Sequence, residues 1–478
     1  MDEPAVPTPT PTPAPAPPAA SETFVVPQAP AEGLAPTAGG GGGSIGKKFL
    51  TVIIILVALV GLFVGGKFIL GRVAGAKEVT IAYWGLWEND ATVASVIADF
   101  ESTHPKIKVT YAKQSPRQYR ERLQNAINRG EGPDVFRFHN TWVPMLRNEL
   151  SQAPETIITA SEFSSAFYPT ATADLVGGQS IYGMPVMIDG LGLYYNEDLF
   201  AAAGVSAPTT WEELLAIVPK LTVRSENTIL TSAIALGTTG NVEHFSDIVA
   251  LMMMQNGAKL SVPTGTQAEE TLVFYRKFAN PSDPVYTWND TLDNSIYAFA
   301  SGKVAMILAP SWRAFDIKQI NPQLRFRVTS VPQLPGNTVT WASYWVEGVS
   351  NKSKYQEQAW EFVKYVTSRE AVTRLYTEAA KTRLFGEPYA LVELGSTLSE
   401  DPYVGAYIKQ ATTAKSFPLA SRTFDNGLND KLSKYLEDAV NAVGTGTAPT
   451  QALTTAADGF RQVLSSYGLT TAAPTTAP

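Results

Sequence analysis

Aromatic and polar side chains cluster at two places in the first third of the chain. Trp87 and Glu88 follow one segment of alternating apolar residues, and Phe138, His139 and Asn140 follow another. Aromatic faces pack against the apolar surface of a small molecule, whereas carboxylate, imidazole and amide groups form directional hydrogen bonds with it. The two clusters therefore predict a site for a small polar ligand.

A denser cluster of aromatic residues and a carboxylate lies further along, from Trp341 to Glu347. Successive side chains of a strand point to opposite faces, so Tyr344 and Trp345 cannot both face one ligand. Trp345 and Glu347 are the predicted ligand contacts here. Which face of this segment lines the site is left open by the sequence.

Alternating strands and helices place the first two clusters at one edge of a sheet. Residues 79–84, 107–111 and 134–138 have strand patterns, and a helix capped by Asn89 and a helix over 116–129 separate them. This order predicts an α/β fold in which helices cover a parallel sheet. Such sheets bind ligands beyond the carboxyl ends of their strands, where both clusters lie.

Composition excludes several classes of function. With 478 residues, 45% of them apolar, the chain can bury a sizeable core, and a net charge of −7 argues against nucleic-acid binding. There is no cysteine to form disulfides, thiolate metal sites or a lipid anchor. The three histidines are not paired at a metal-ligand spacing, so we expect no metal and no cofactor.

The two ends of the chain differ from its centre. Residues 1–46 are rich in Pro, Ala and Gly and are predicted to be disordered, as are residues 468–478. Residues 49–70 are long and apolar enough to form one transmembrane helix that anchors the protein. Ala74-Gly75-Ala76 also fits a signal-peptide cleavage site, so cleavage after Ala76 remains the alternative.

A series of motifs resembles a known family. The segment 79–467 is similar to the extracellular solute-binding proteins for sugars, the family of maltose-binding protein. The resemblance rests on these landmarks, which occur in the family's order: Asp99-Phe-Glu, Gly130-Glu-Gly-Pro-Asp134, Ile181-Tyr-Gly-Met-Pro185, Tyr194-Tyr-Asn-Glu-Asp-Leu-Phe200, Pro208-Thr-Thr-Trp-Glu-Glu-Leu214, Gly302-Lys-Val-Ala-Met306, Trp312 and Ala359-Trp-Glu-Phe362.

The resemblance implies a two-lobed, periplasmic-binding-protein-like (type II) clamp. The chain would cross between the lobes three times, near 187–190, 341–348 and 383–388, and these segments would act as a hinge. Lobe 1 would comprise residues 78–187 and 346–384, and lobe 2 residues 188–345 and 385–467. We expect the ligand to bind between the lobes.

The resemblance also implies ligand contacts at particular residues. Asp189 corresponds to a carboxylate of the first crossing that binds hydroxyls, and Trp312 to a tryptophan that stacks on sugar. Arg383, at the third crossing, could donate paired hydrogen bonds to a ligand. Near Phe424 the family has a stacking tryptophan, so Phe424 is its predicted substitute, and this departure puts a maltodextrin ligand in doubt.

The predicted function is that of an extracytoplasmic, single-pass, membrane-anchored binding component of an ABC importer. It would be a monomer that captures a mono- or oligosaccharide for permease subunits and would not be an enzyme. A sensor with the same fold and a glycerol phosphate, polyamine or peptide ligand remain alternatives. A glycosidase would need two carboxylates across the cleft, such as Asp189 with Glu88 or Glu347.

Overall fold

A computed structural model describes residues 77–226 and 228–469. The predicted disordered segment 1–46 and the predicted membrane helix 49–70 lie outside these residues. No helix within the described ranges is long and apolar enough to cross a membrane. At the other end, Gly468 and Leu469 still hydrogen-bond to the last helix, so this part of the predicted tail is ordered. Residues 470–478 lie outside the description.

Strands and helices alternate through most of the described chain. The strands are β1 (Val79–Gly85), β2 (Ile107–Lys113), β3 (Val135–His139), β4 (Val176–Gly177), β5 (Ser180–Ile181), β6 (Met184–Pro185), β7 (Gly192–Asn196), β8 (Val223–Ser225), β9 (Thr228–Ile234), β10 (Val304–Ala309), β11 (Phe326–Thr329), β12 (Thr340–Trp341), β13 (Trp345–Val349) and β14 (Ala414–Lys415).

The α-helices pack against the strands of the sheets and against one another. They are α1 (Asp90–Thr103), α2 (Tyr119–Arg129), α3 (Val143–Leu146), α4 (Ala160–Ala166), α5 (Pro169–Leu175), α6 (Glu197–Ala203), α7 (Trp211–Leu221), α8 (Phe245–Gln255), α9 (Thr266–Lys277), α10 (Ser295–Ala300), α11 (Arg313–Ile320), α12 (Gln356–Val366), α13 (Arg369–Ala380), α14 (Gly395–Leu398), α15 (Gly405–Gln410), α16 (Leu428–Gly444) and α17 (Pro449–Ser466).

Two five-stranded sheets form the centres of the two lobes. The first has the order β2-β1-β3-β13-β6 and the second the order β11-β7-β10-β9-β8. In the first sheet β1 runs parallel to β2 and β3, as the sequence predicts, but β13 is antiparallel to both β3 and β6. The sheet is parallel over the three predicted strands and becomes mixed through β13, which enters it from the second crossing.

Local sequence explains the first helices. The side chain of Asn89 accepts a hydrogen bond from the Thr92 amide and so caps α1, as predicted. Helix α2 begins at Tyr119, three residues after Pro116, because Gln118 takes a left-handed conformation with φ of 52°. The apolar stripe of α16, Leu428, Leu432 and Leu436, is fully buried.

The predicted crossing segments lie side by side and hydrogen-bond to one another. The Ser343 amide donates to the Asp189 carbonyl at 3.0 Å, and the Ile188 amide donates to the Pro388 carbonyl at 2.9 Å. Gly190 packs so closely against the second segment that a Cβ atom there would lie 1.8 Å from the Trp341 carbonyl oxygen. Only glycine fits at this crossing.

Candidate functional site

A cavity of about 400 Å³ opens where the crossing segments meet the edges of the two sheets. Its volume lies in the usual range for small-molecule sites. Residues of all three crossings, of the loops after β1 and β10, of the end of β3 and of the loop that precedes α16 line it. The lining includes these predicted ligand contacts: Trp87, His139, Asp189, Trp312, Trp345, Arg383 and Phe424.

Aromatic residues carried by the first sheet and its loops form one side of the cavity. The ring of Trp345 lies edge-on to those of Trp87 and His139, with centroids 5.4 and 5.2 Å apart. Trp142 packs against Trp345 from beneath, at 5.3 Å. Trp142 is 1% exposed, so it belongs to the core and supports the indole that reaches the cavity.

His139 is a neutral member of this aromatic side. Its Nδ1 lies 2.8 Å from Thr141 Oγ1 and its Nε2 lies 3.0 Å from Ser343 Oγ. Burial lowers the pKa of His139 to about 3, because desolvation penalises the charged imidazolium. The side chain therefore offers hydrogen bonds and an aromatic surface but no charge.

Asp189 is the carboxylate at the hinge. Its Oδ1 accepts from the Gly190 amide at 2.8 Å and the Ser311 amide at 3.1 Å, and its Oδ2 accepts from Ser311 Oγ at 2.8 Å. Burial raises the pKa of Asp189 to about 7, against the opposing effect of these hydrogen bonds, and the nearby Glu387 adds to the rise. No cation pairs with this carboxylate among the described residues.

Trp312 faces the cavity from lobe 2. The guanidinium carbon of Arg313 lies 4.0 Å from the centroid of the indole and so covers one of its faces. Arg313 is held by Glu243 at 2.5 Å, by Asp316 at 2.7 Å and by a hydrogen bond from its Nε to His244 Nε2 at 3.0 Å. The indole lines the cavity, so a face not covered by Arg313 can stack on a ligand.

A comparison of the sequence with known families agrees with this geometry. Residues 95–383, which make up more than half of the chain, match the model of the family described as bacterial extracellular solute-binding protein. The chain belongs to this family.

Relatives of this solute-binding protein include sugar-binding proteins. A multiple sugar-binding protein of Streptococcus mutans is 26% identical over 313 residues, which cover 63% of this chain and 73% of the relative. The fold matches a cyclo/maltodextrin-binding protein complexed with maltotetraose (TM-score 0.65, 19% identity, 82% of this chain and 98% of the other). It also matches a Thermotoga lettingae ABC transporter solute-binding protein bound with α-D-tagatose (TM-score 0.61, 22% identity, 81% and 100%).

Glu88 and Glu347, both predicted as ligand contacts, lie outside the cavity lining of this solute-binding protein. They share Arg137, which donates to Glu88 at 2.6 Å and to Glu347 at 2.5 Å, and Tyr83 donates its hydroxyl to Glu347 at 3.0 Å. In the register of the first sheet Trp345 lies opposite His139, and Glu347 lies opposite Arg137. The ion cluster is thus two register positions along β3 and β13 from the pair of Trp345 and His139.

The pKa values of Glu88 and Glu347 are shifted in opposite directions. Burial raises the pKa of Glu88, but Arg137 outweighs burial and holds that pKa below its usual value. At Glu347 burial dominates and raises the pKa, although Arg137 opposes the rise. Both carboxylates are occupied by Arg137 within the fold, which explains why neither lines the cavity.

Phe138 and Asn140 also lie outside the cavity lining. Phe138 alternates with His139 along β3, so it points to the opposite face and is fully buried in the core. Asn140 donates to Asp174 at 2.9 Å and accepts from the Tyr344 amide at 3.2 Å. Its side chain therefore connects β3 to the second crossing segment.

Sequence reasoning missed several residues that line the cavity. Glu243 lies two residues before α8 and Asp247 lies in its first turn, and Ser421, Arg422 and Thr423 lie in the loop before α16. No local pattern marks these residues, because they meet the crossings only in the folded protein. Arg313 could have been suspected, since it directly follows Trp312. Within the described ranges, no group of histidine and acidic residues could hold a metal ion.

Proposed function

We propose that this protein captures an uncharged carbohydrate between its two lobes for an ABC importer. The observation that carries the proposal is the pairing of two aromatic sides, Trp345 with Trp87 and the indole of Trp312, around Asp189. Sugar rings offer apolar C–H faces to indoles and hydroxyls to a carboxylate. The tagatose and maltotetraose bound in the two similar structures, and the multiple sugar-binding protein among the relatives, support the same class of ligand.

The charges around the cavity favour a neutral ligand over an anionic one. Arg313 and Arg422 both pair with Glu243, and Arg383 pairs with Glu387 at 2.7 Å. A phosphate or carboxylate ligand would have to compete with these ion pairs for each guanidinium. Asp189, which has no such partner, is instead suited to accept hydrogen bonds from ligand hydroxyls.

The proposal includes a cellular setting. The lobes are residues 78–187 with 346–384 and residues 188–345 with 385–467, and they lie outside the cytoplasm as one monomer. Residues 49–70 tether the protein to the membrane, a step that rests on the apolar sequence of this segment alone. The closed clamp delivers its sugar to permease subunits in that membrane.

Isothermal titration of residues 77–478 with tagatose, maltose and maltotetraose tests the proposal. We expect at least one of these sugars to bind, and Trp312→Ala to weaken binding at least about tenfold, or 1.4 kcal/mol, because it removes a stacking face. Tyr297→Ala, which removes an exposed aromatic residue of α10 outside the cavity, is the matched control. Binding of a phosphorylated sugar in preference to all three would contradict the proposal.

A further inference from the structure

A short loop before α16 lines the cavity in an unusual backbone conformation. Ser421, Arg422, Thr423 and Phe424 all contribute to the lining. Arg422, Phe424 and the nearby Asn426 have φ angles of 61°, 53° and 45°. Side chains other than glycine seldom adopt this left-handed region, and such residues persist only where the surrounding structure fixes them.

The loop is fixed at both ends by buried groups. At its start, the amide of Ser421 donates to Asp247 at 3.1 Å and its hydroxyl lies 2.7 Å from His244 Nδ1. At its end, the fully buried Asp425 accepts from the amides of Gly427 at 2.8 Å and Asn429 at 3.0 Å. These contacts anchor the segment between Ser421 and Asp425 at both of its ends.

Thr423 lies at the centre of this segment and carries an unpaired hydroxyl. The residue is 2% exposed, and its Oγ1 is buried without a hydrogen-bond partner among the described residues. Most buried side-chain polar atoms in proteins have a partner, because an unpaired one costs its full desolvation. The fold therefore holds a costly, unpaired group at the wall of the proposed ligand site.

We propose that Thr423 is a ligand contact, whose Oγ1 hydrogen-bonds to a hydroxyl group of the bound sugar. The inference rests on the proposed function. A threonine hydroxyl can donate and accept at once, which suits a sugar hydroxyl, itself both donor and acceptor. Thr423 lines the cavity, and the loop that carries it is anchored by Ser421 and Asp425 rather than by Thr423 itself.

Three variants test the role of Thr423. Thr423→Val replaces the hydroxyl with a methyl group of the same shape, and Thr423→Ser keeps the hydroxyl. Ser433→Ala is the matched control, because it removes a buried unpaired hydroxyl from α16, outside the cavity lining. Affinity for tagatose, maltose and maltotetraose is measured by titration, and the melting temperature is measured without ligand.

We expect Thr423→Val to weaken binding of the tightest of these sugars about three- to tenfold. The sugar affinities of Thr423→Ser and Ser433→Ala should stay within about twofold of that of the wild type, which is less than the loss of one hydrogen bond would cause. The melting temperature of Thr423→Val should equal or exceed that of the wild type, because no protein partner loses its hydrogen bond.

Two results would overturn the inference. Unchanged sugar affinity of Thr423→Val, in a protein whose wild type binds sugar, refutes the role of Thr423 and leaves the proposed function intact. If the wild type binds none of the three sugars, the proposed function fails. The melting temperature then decides on Thr423: a clear decrease in Thr423→Val shows that the hydroxyl has a structural partner, whereas an equal or higher value supports an unpaired hydroxyl.

Discussion

Two arginine–glutamate clusters lie near the cavity, one within the first sheet and the other in the wall of lobe 2. In the first, Arg137 is shared by Glu88 and Glu347, and the side chains are 2%, 6% and 0% exposed. In the second, Glu243 is shared by Arg313 and Arg422, which are 12% and 43% exposed. In the first cluster one guanidinium is shared by two carboxylates, whereas in the second one carboxylate, that of Glu243, is shared by two guanidinium groups.

The difference in burial between the two clusters shows which of them supports the fold and which shapes the cavity. The cluster of Arg137 is sealed within the first sheet, two register positions along β3 and β13 from His139 and Trp345. At that depth each charge depends on its protein partner, because no water can replace it. The open cluster of Arg313 instead reaches the cavity, where its guanidinium stacks on Trp312 and shapes the surface that a ligand meets.

The largest effect is expected from Arg137→Met, which leaves two carboxylates buried without a cation. We expect the free energy of unfolding to fall by about 3–5 kcal/mol, the usual cost of removing one partner of a buried pair. Urea denaturation without ligand measures this loss. Arg325→Met is the matched control, because Arg325 pairs with Asp198 at an exposed site and should matter far less.

A small effect of Arg137→Met would contradict the contrast between the clusters. If its unfolding curve resembled that of Arg325→Met, the Arg137 cluster would have to be as accessible to water as a surface pair. The sugar affinity of the folded variant provides a second check, since this cluster lies outside the cavity lining and its loss should not abolish binding.

Asp189 is a third case for comparison, because its buried carboxylate has no cation as a partner among the described residues. Its pKa in the folded protein, about 7, lies above the usual value of 3.8, so the folded state binds more protons than the unfolded state between these values. The contribution of Asp189 to stability is therefore fully present below about pH 4 and is lost as the pH rises through 7. Asp189→Asn can keep all three hydrogen bonds, because its amide can donate to Ser311 Oγ.

We expect Asp189→Asn to match the wild type near pH 4 and to exceed its stability at pH 8, by on the order of 2–4 kcal/mol. Urea denaturation at both pH values measures the difference between the two proteins. His139 has the opposite effect, because its pKa of about 3 makes stability increase with pH from about 3 to 6.5. Both proteins contain His139, so its effect drops out of the difference between their stabilities. A difference that does not change with pH would mean that Asp189 titrates normally.

The sequence predicted those parts of the site that depend on local patterns. The ends of β1 and β3 follow from alternation and turns, and this places Trp87 and His139 at the cavity. The family resemblance supplied the crossings and, with them, Asp189, Trp312 and Arg383. Both kinds of inference need only the neighbouring residues or the order of motifs along the chain.

What the sequence could not provide is the partner that each charge meets in space. Glu347 was predicted as a ligand contact because it follows Trp345, but the antiparallel register of β13 places it opposite Arg137, 210 residues away in the chain. The cluster of Glu243 and Arg422 joins α8 to the loop before α16, and no motif marks either segment. Whether a charged side chain supports the fold or lines the cavity therefore depends on partners that are distant in the sequence.

The smallest expected effect, Glu243→Gln, tests the open cluster. Glutamine has no charge, so it holds the guanidinium groups of Arg313 and Arg422 less strongly, and the guanidinium over Trp312 becomes less ordered. We expect sugar affinity to fall about tenfold, or 1.4 kcal/mol, with a smaller loss of stability than in Arg137→Met. Titration and urea denaturation of both variants, with Glu393→Gln as a surface-pair control, measure the two effects. If Glu243→Gln instead lost stability and kept its affinity, the open cluster would be structural as well, because its charges would serve the fold rather than the surface that binds the ligand.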